Sequence, residues 1–166
     1  MSENPVSQNQ ASQGRTTQKD VIVVCGIGNQ TRGDDGCGPH VIQKLMSSKD
    51  CFDNLDVHLI DCGLAPENFT GKIVALAPRK VIIVDAVDLG DEPGYFEYVD
   101  IERIKGQLIS THKLPVTLFI SFLQKEAGCD VDFIGIQPKT LGFGDEMSAE
   151  CVKGCSEVVD MILEIF

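Results

Sequence analysis

Positive charge is in short supply in this 166-residue chain. It carries 14 Lys and Arg against 25 Asp and Glu, a formal net charge of −11. Such a field repels phosphate backbones, so no nucleic-acid partner is expected, and cations or basic peptide segments suit it better. No apolar run approaches the ~20 residues that span a bilayer, and no charged-then-apolar leader opens the chain. Membrane insertion and export are therefore not expected. The seven cysteines, at 25, 37, 51, 62, 129, 151 and 155, include no C-x-x-C pair. That removes the zinc ribbon and the thioredoxin-type site. Thiols scattered through apolar patterns read instead as small core hydrophobes in a reducing cytoplasm. There is also no G-x-S-x-G nucleophile elbow and no internal repeat.

What the chain does have is enough apolar material for one domain. Hydrophobic residues make up 43%, and a domain of about 150 residues buries ~70% of its unfolded surface. Residues 1–19 are dominated by Ser, Gln, Asn and Thr. They cannot offset their ordering entropy by burial and are expected to form a flexible polar tail. Residues 20–166 are expected to form a single α/β domain, with a monomer favoured.

Strands and helices alternate along that domain. Val21–Cys25, closed by Gly26, reads as a buried β-branched strand. Gly38-Pro39 opens a helix with Val41, Ile42, Leu45 and Met46 as its apolar stripe. Val57–Ile60 is a second strand. Residues 66–77 are expected to be helical, with Phe69, Ile73, Val74 and Leu76 inward, although Gly71 opposes a helix. Val81–Val84 is apolar throughout, as in a parallel sheet covered on both faces. Tyr95–Val99 is a fourth strand, reached by a loop too short for a parallel crossover, so it should run antiparallel. Residues 115–125 form a helix with Leu118, Phe119, Phe122 and Leu123 inward, and Val131–Ile136 is the last strand. Ser148 is placed to cap a final helix, with Glu150 in its first turn. The buried face of that helix would be Cys151, Val152, Cys155, Val158, Val159, Ile162 and Leu163. The fold class is α/β: a three-layer sandwich, with a mostly parallel five-stranded sheet, one antiparallel strand and helices on both faces.

Open α/β sheets bind ligands outside the carboxyl ends of their strands. After the first strand come five glycines in thirteen residues, Gly26 to Gly38, around the pair Asp34-Asp35. A dinucleotide fingerprint would open directly into a helix, and carboxylates at a pyrophosphate site defeat themselves. Asp34 reads as solvated or helix-capping, whereas Asp35 lies closer to the helix start. Asp85 ends a buried apolar strand, where a carboxylate is costly unless it is paired or bound to metal. His112 precedes a helix whose positive end disfavours imidazolium and keeps the ring able to ligate. His40 and His58 have no partners nearby in sequence. Asp35, Asp85 and His112 would converge on one sheet edge and leave open positions on a divalent transition metal. Cys37 would be a poor nucleophile, because nearby carboxylates raise a thiol's pKa.

Gly26-Ile27-Gly28-Asn29, Gly33 to Pro39, Val84-Asp85-Ala86, Thr111 to Pro115 and Gly135-Ile136-Gln137-Pro138 resemble the hydrogenase maturation endopeptidases. The resemblance covers residues 21–165 in motif order and spacing. It implies a protease that removes a C-terminal extension from the large-subunit precursor of a nickel–iron hydrogenase after nickel insertion. It further implies that Asp35, Asp85 and His112 are the catalytic and metal-contacting residues, with nickel supplied by the precursor, and that Asp34 could be a partner that orients its neighbours. Two other readings of the same residues remain. One is a phosphoacceptor receiver domain, with Asp85 as acceptor and Lys139 as its lysine. The other is a non-catalytic nickel-binding accessory protein.

Overall fold

The structure is a computed structural model that describes residues 20–48, 52, 55–101 and 116–166. Residues 1–19, Cys51 and His112 lie outside the described residues. Five strands form one sheet: β1 (Val21–Ile27), β2 (Asp56–Gly63), β3 (Lys80–Ala86), β4 (Phe96–Tyr98) and β5 (Asp130–Ile136). Their order is β2-β1-β3-β5-β4. The β2–β1, β1–β3 and β3–β5 pairs are parallel, and β4 runs antiparallel to β5. Among the described residues the α-helices include α1 (Cys37–Ser47), α2 (Thr70–Ala75), α3 (Val116–Ala127) and α4 (Ala149–Ile165). The mixed α/β sheet read from the sequence is the one observed, including its antiparallel edge.

Strand periodicity divides the core in two. Ile22, Val24, Ile82, Val84, Ile134 and Ile136 point to one face, where α1 and α4 cover them with Val41, Ile42, Leu45, Cys155, Val158 and Ile162. Val23, Cys25, Ile27, Val81, Ile83 and Phe133 point to the other, against Ile73 of α2 and Phe119, Ile120 and Leu123 of α3. The strands shared by both faces are therefore apolar at nearly every position. All six described cysteines are buried and unpaired, as expected of small core hydrophobes.

Local chemistry sets the helix starts. The Ser148 side chain caps α4 by accepting a hydrogen bond from the Cys151 N–H at 3.3 Å. Pro39 stands in the first turn of α1, where its missing N–H is not needed. Gly38 lets that turn rest directly on the sheet, since a Cβ there would run into the backbone of Ile27 and Val84.

Several boundaries differ from the sequence reading. Gly26 does not close β1 but lies inside it, under the α1 backbone. β2 continues through Gly63, with an irregularity opposite Gly26–Ile27. β3 includes Asp85 rather than ending before it. The expected helix over 66–77 is a 3-10 turn, Pro66–Phe69, followed by the short α2. On α3 the buried residues are Thr117, Phe119, Ile120 and Leu123, while Leu118 and Phe122 are 55% and 44% exposed. Its apolar residues Leu118, Phe119, Ile120, Phe122 and Leu123 spread over more than one stripe, so its period leaves the inward face open until the sheet selects it. Met46 and Val152 are likewise exposed, at the margins of their stripes.

Candidate active site

The chain passes from β1 to β2 on one side and takes up β3 on the other, so the crevice beyond the carboxyl ends of β1 and β3 is the switch point of the sheet. Both candidate aspartates are delivered there. Asp34 and Asp35 occupy a 3-10 turn, Gly33–Gly36, between β1 and α1. That turn lies against β3. Gly28, at φ +141°, makes the fold-back possible, because a Cβ there would run into the Asp35 carbonyl. The Asn29 N–H donates to the Asp35 carbonyl at 3.0 Å and to its Oδ2 at 3.1 Å. Asp35 is thereby held by its own loop and is largely buried.

Asp85 reaches the same edge from β3. It is 5% exposed, stands opposite Gly135 of β5, and accepts a 2.8 Å hydrogen bond at Oδ1 from the Ala86 N–H. Two low-exposure carboxylates at one crevice suit a cation or a proton-transfer role. His112, the third candidate, lies outside the described residues. Among the described residues no three His, Cys, Asp or Glu side chains are grouped to hold a metal ion.

Asp34 corrects the sequence reading. It is neither solvated nor a cap on α1; its exposure is 0%. Its Oδ2 accepts from the N–H groups of Lys139 (2.8 Å) and Thr140 (3.0 Å) and from the Ser148 hydroxyl (3.0 Å). Its Oδ1 accepts from the Ser148 N–H at 2.7 Å. Burial pushes the carboxyl's pKa up. The hydrogen bonds from Thr140, Ser148 and Lys139 more than offset this and hold it below the ordinary aspartate value.

Gln137 was given no role from sequence and proves to be the second buried polar hub. Its Oε1 accepts from the Leu89 N–H at 2.6 Å and the Asp91 N–H at 3.4 Å. Its Nε2 donates to Asp88 Oδ1 at 3.3 Å. A polar residue placed directly after an apolar strand, in Gly135-Ile136-Gln137-Pro138, was the available signal.

The other candidates have different surroundings. The Cys37 thiol is pushed far above its ordinary pKa, as inferred, but by hydrogen bonding to Cys151 and Cys155 and by burial rather than by carboxylates. Lys139, the lysine of a receiver reading, pairs at 2.6 Å with Glu150 on the surface. His58 pairs with Asp56 at 3.0 Å on the edge strand. His40 has a buried ring nitrogen, Nε2, without a hydrogen-bond partner.

The chain is similar to known proteins in both sequence and fold. The family model for hydrogenase maturation proteases matches residues 39–165. The hydrogenase 3 maturation protease of Escherichia coli K12 is 36% identical over 144 residues, which span 86% of this chain and 88% of that protein. The crystal structure of a NiFe hydrogenase maturation protease from Thermococcus kodakarensis superposes with a TM-score of 0.79 at 37% identity, covering 90% of this chain and 94% of that one. The solution structure of an Escherichia coli endopeptidase gives 0.77 at 33% identity, covering 87% and 90%. This chain, then, belongs to the hydrogenase maturation protease family.

Proposed function

We propose that the protein removes the C-terminal extension of a nickel–iron hydrogenase large-subunit precursor once nickel has been inserted, in the cytoplasm. The observation that carries this reading is the arrival of Asp35 and Asp85 at one crevice, from the adjacent strands β1 and β3. Carboxylate oxygens are suitable donors for a divalent transition ion, and His112 would add an imidazole nitrogen. In this reading the nickel arrives as part of the substrate, held by the precursor's own ligands, and the three side chains complete its surroundings. A precursor without the ion would lose those contacts and dock poorly. Metal insertion thereby becomes a difference in affinity between loaded and empty substrate. A metal ion at the scissile bond can polarise the carbonyl or acidify a bound water. The residues of this chain hold the reacting segment in place; the low exposure of Asp35 and Asp85 keeps their charges effective by limiting solvent screening.

The test mixes purified protein with nickel-loaded and nickel-free precursor and follows the mass of the large subunit. Only the loaded form should lose its extension. Equal cleavage of both forms would remove the nickel checkpoint. Asp35→Ala, Asp85→Ala and His112→Ala should each stop processing of the loaded precursor while leaving the circular dichroism spectrum unchanged. Normal processing by all three would overturn the site.

A further inference from the structure

The β5–α4 connection leaves the carboxyl edge of the sheet through the sequence Thr140-Leu141-Gly142-Phe143-Gly144-Asp145. This loop is closed on itself. The Thr140 hydroxyl bonds the Asp145 carboxylate, and the Asp145 N–H donates to the Gly142 carbonyl at 3.3 Å. It is also fastened to the turn that bears Asp35. The Gly33 N–H donates to the Asp145 carbonyl at 3.1 Å, the Gly144 N–H to the Thr31 carbonyl at 2.8 Å, and Arg32 Nε to the Leu141 carbonyl at 3.2 Å. Yet the apolar side chains of this fixed loop face outward. Phe143 is 84% exposed, the most of any large hydrophobic among the described residues, and Leu141 is 45% exposed.

That combination calls for a physical reason. Burying an aromatic ring would stabilise the fold, and ordering glycines costs backbone entropy. Here Gly144 sits at φ +82°, and a Cβ on Gly142 would run into the Asp145 carboxylate, so both glycines are needed for the shape of the tip. Polar contacts alone hold the loop, and the ring contributes nothing to it. An aromatic side chain on a fixed backbone loses little freedom when a partner covers it, which makes it an efficient anchor.

We propose that Leu141 and Phe143 are a docking knob for the folded body of the large-subunit precursor, whose C-terminal segment enters the adjoining crevice. The proposal rests on the function proposed above. Continuity with the crevice selects this occupant: the loop lies directly on the turn carrying Asp35, so a protein substrate seated at Asp35 extends over it. Charge selects the chemistry of the matching surface. Asp145 and Glu146 are exposed and follow Phe143 closely, while Lys139 is already matched by Glu150. Together with the net charge of −11, this calls for an apolar pocket bordered by Lys or Arg on the precursor.

The experiment measures kcat and KM for the nickel-loaded precursor with Phe143→Ala, Leu141→Ala and Glu146→Gln, together with the affinity of each protein for a precursor truncated to lack its C-terminal extension. Phe143→Ala should raise KM about 10-fold with kcat within about 2-fold, because the knob lies outside the reacting centre and is covered equally before and during cleavage. It should weaken binding of the truncated precursor by the same factor, since the body rather than the extension is gripped. Leu141→Ala should act in the same direction but less. Glu146→Gln should flatten the loss of affinity between about 0.05 and 0.5 M salt. Parental KM and parental affinity in Phe143→Ala would overturn the docking proposal while leaving the protease reading intact. A dimer of the parent protein that Phe143→Ala dissociates, read by sedimentation equilibrium, would give the knob to a second copy and overturn it too. If the parent protein neither binds nor cleaves the loaded precursor, the functional reading fails and takes the docking proposal with it.

Discussion

Below the carboxyl edge of the sheet the molecule is held by apolar packing; at the edge it is held by buried hydrogen bonds. On the α1/α4 face, Val41, Ile42, Leu45, Val158 and Ile162 meet the sheet with no exposure. At the edge, Asp34 and Gln137 are also buried, but each meets several polar partners across loops. Packing is non-directional and tolerates substitution by volume, whereas a hydrogen-bonded hub fails when one partner's polarity is wrong. The core therefore supplies stability, and the edge supplies placement.

Three measurements would sharpen or break that contrast. The largest stability effect belongs to the core: Leu45→Ala should cost about 2–5 kcal/mol by urea denaturation, through lost transfer energy and a residual cavity. Its cleavage rate per folded molecule should stay near that of the parent, and a loss of kcat comparable to that of Asp35→Ala would erase the distinction. Asp34→Asn comes next, with about 1–3 kcal/mol lost at neutral pH because buried N–H groups lose a charged acceptor. Its pH dependence has a definite sign. The folded-state pKa of Asp34 is depressed, so its contribution is fully present above the ordinary aspartate value of about 3.9 and is lost as pH falls through the lower, folded value. The stability gap between parent and variant should accordingly be constant near neutrality and close below about pH 4. A gap that widens in acid would contradict the bonding described. The smallest effect is expected at Lys139→Ala, which removes the exposed pair with Glu150. Its melting temperature should match the parent's, since such pairs are screened and contribute little.

How far the sequence could be read depended on the range of the interaction concerned. Ser148 was recognisable as a helix cap because its partner, Cys151, is three residues away. The antiparallel edge strand was recognisable because the connection before it is short. The six core cysteines announced themselves by their apolar neighbours. Asp85 stood out because a carboxylate ending a buried strand demands a reason. The partners of Asp34 did not, because Lys139, Thr140 and Ser148 lie 105, 106 and 114 residues further along the chain. Leu118 and Phe122 were assigned inward because a helix with adjacent apolar residues at 118–120 and 122–123 carries no record of which side the sheet will take.

Periodicity, capping and turn chemistry are local, and so the amino-acid order alone determined the sequence of strands and helices, the mixed sheet and the glycine-rich acidic loop. Tertiary structure decided which of two neighbouring aspartates is sealed inside as a tie and which is left at the crevice. Asp34 and Asp35 have the same intrinsic chemistry; they differ in the partners that the folded chain brings to them from far away.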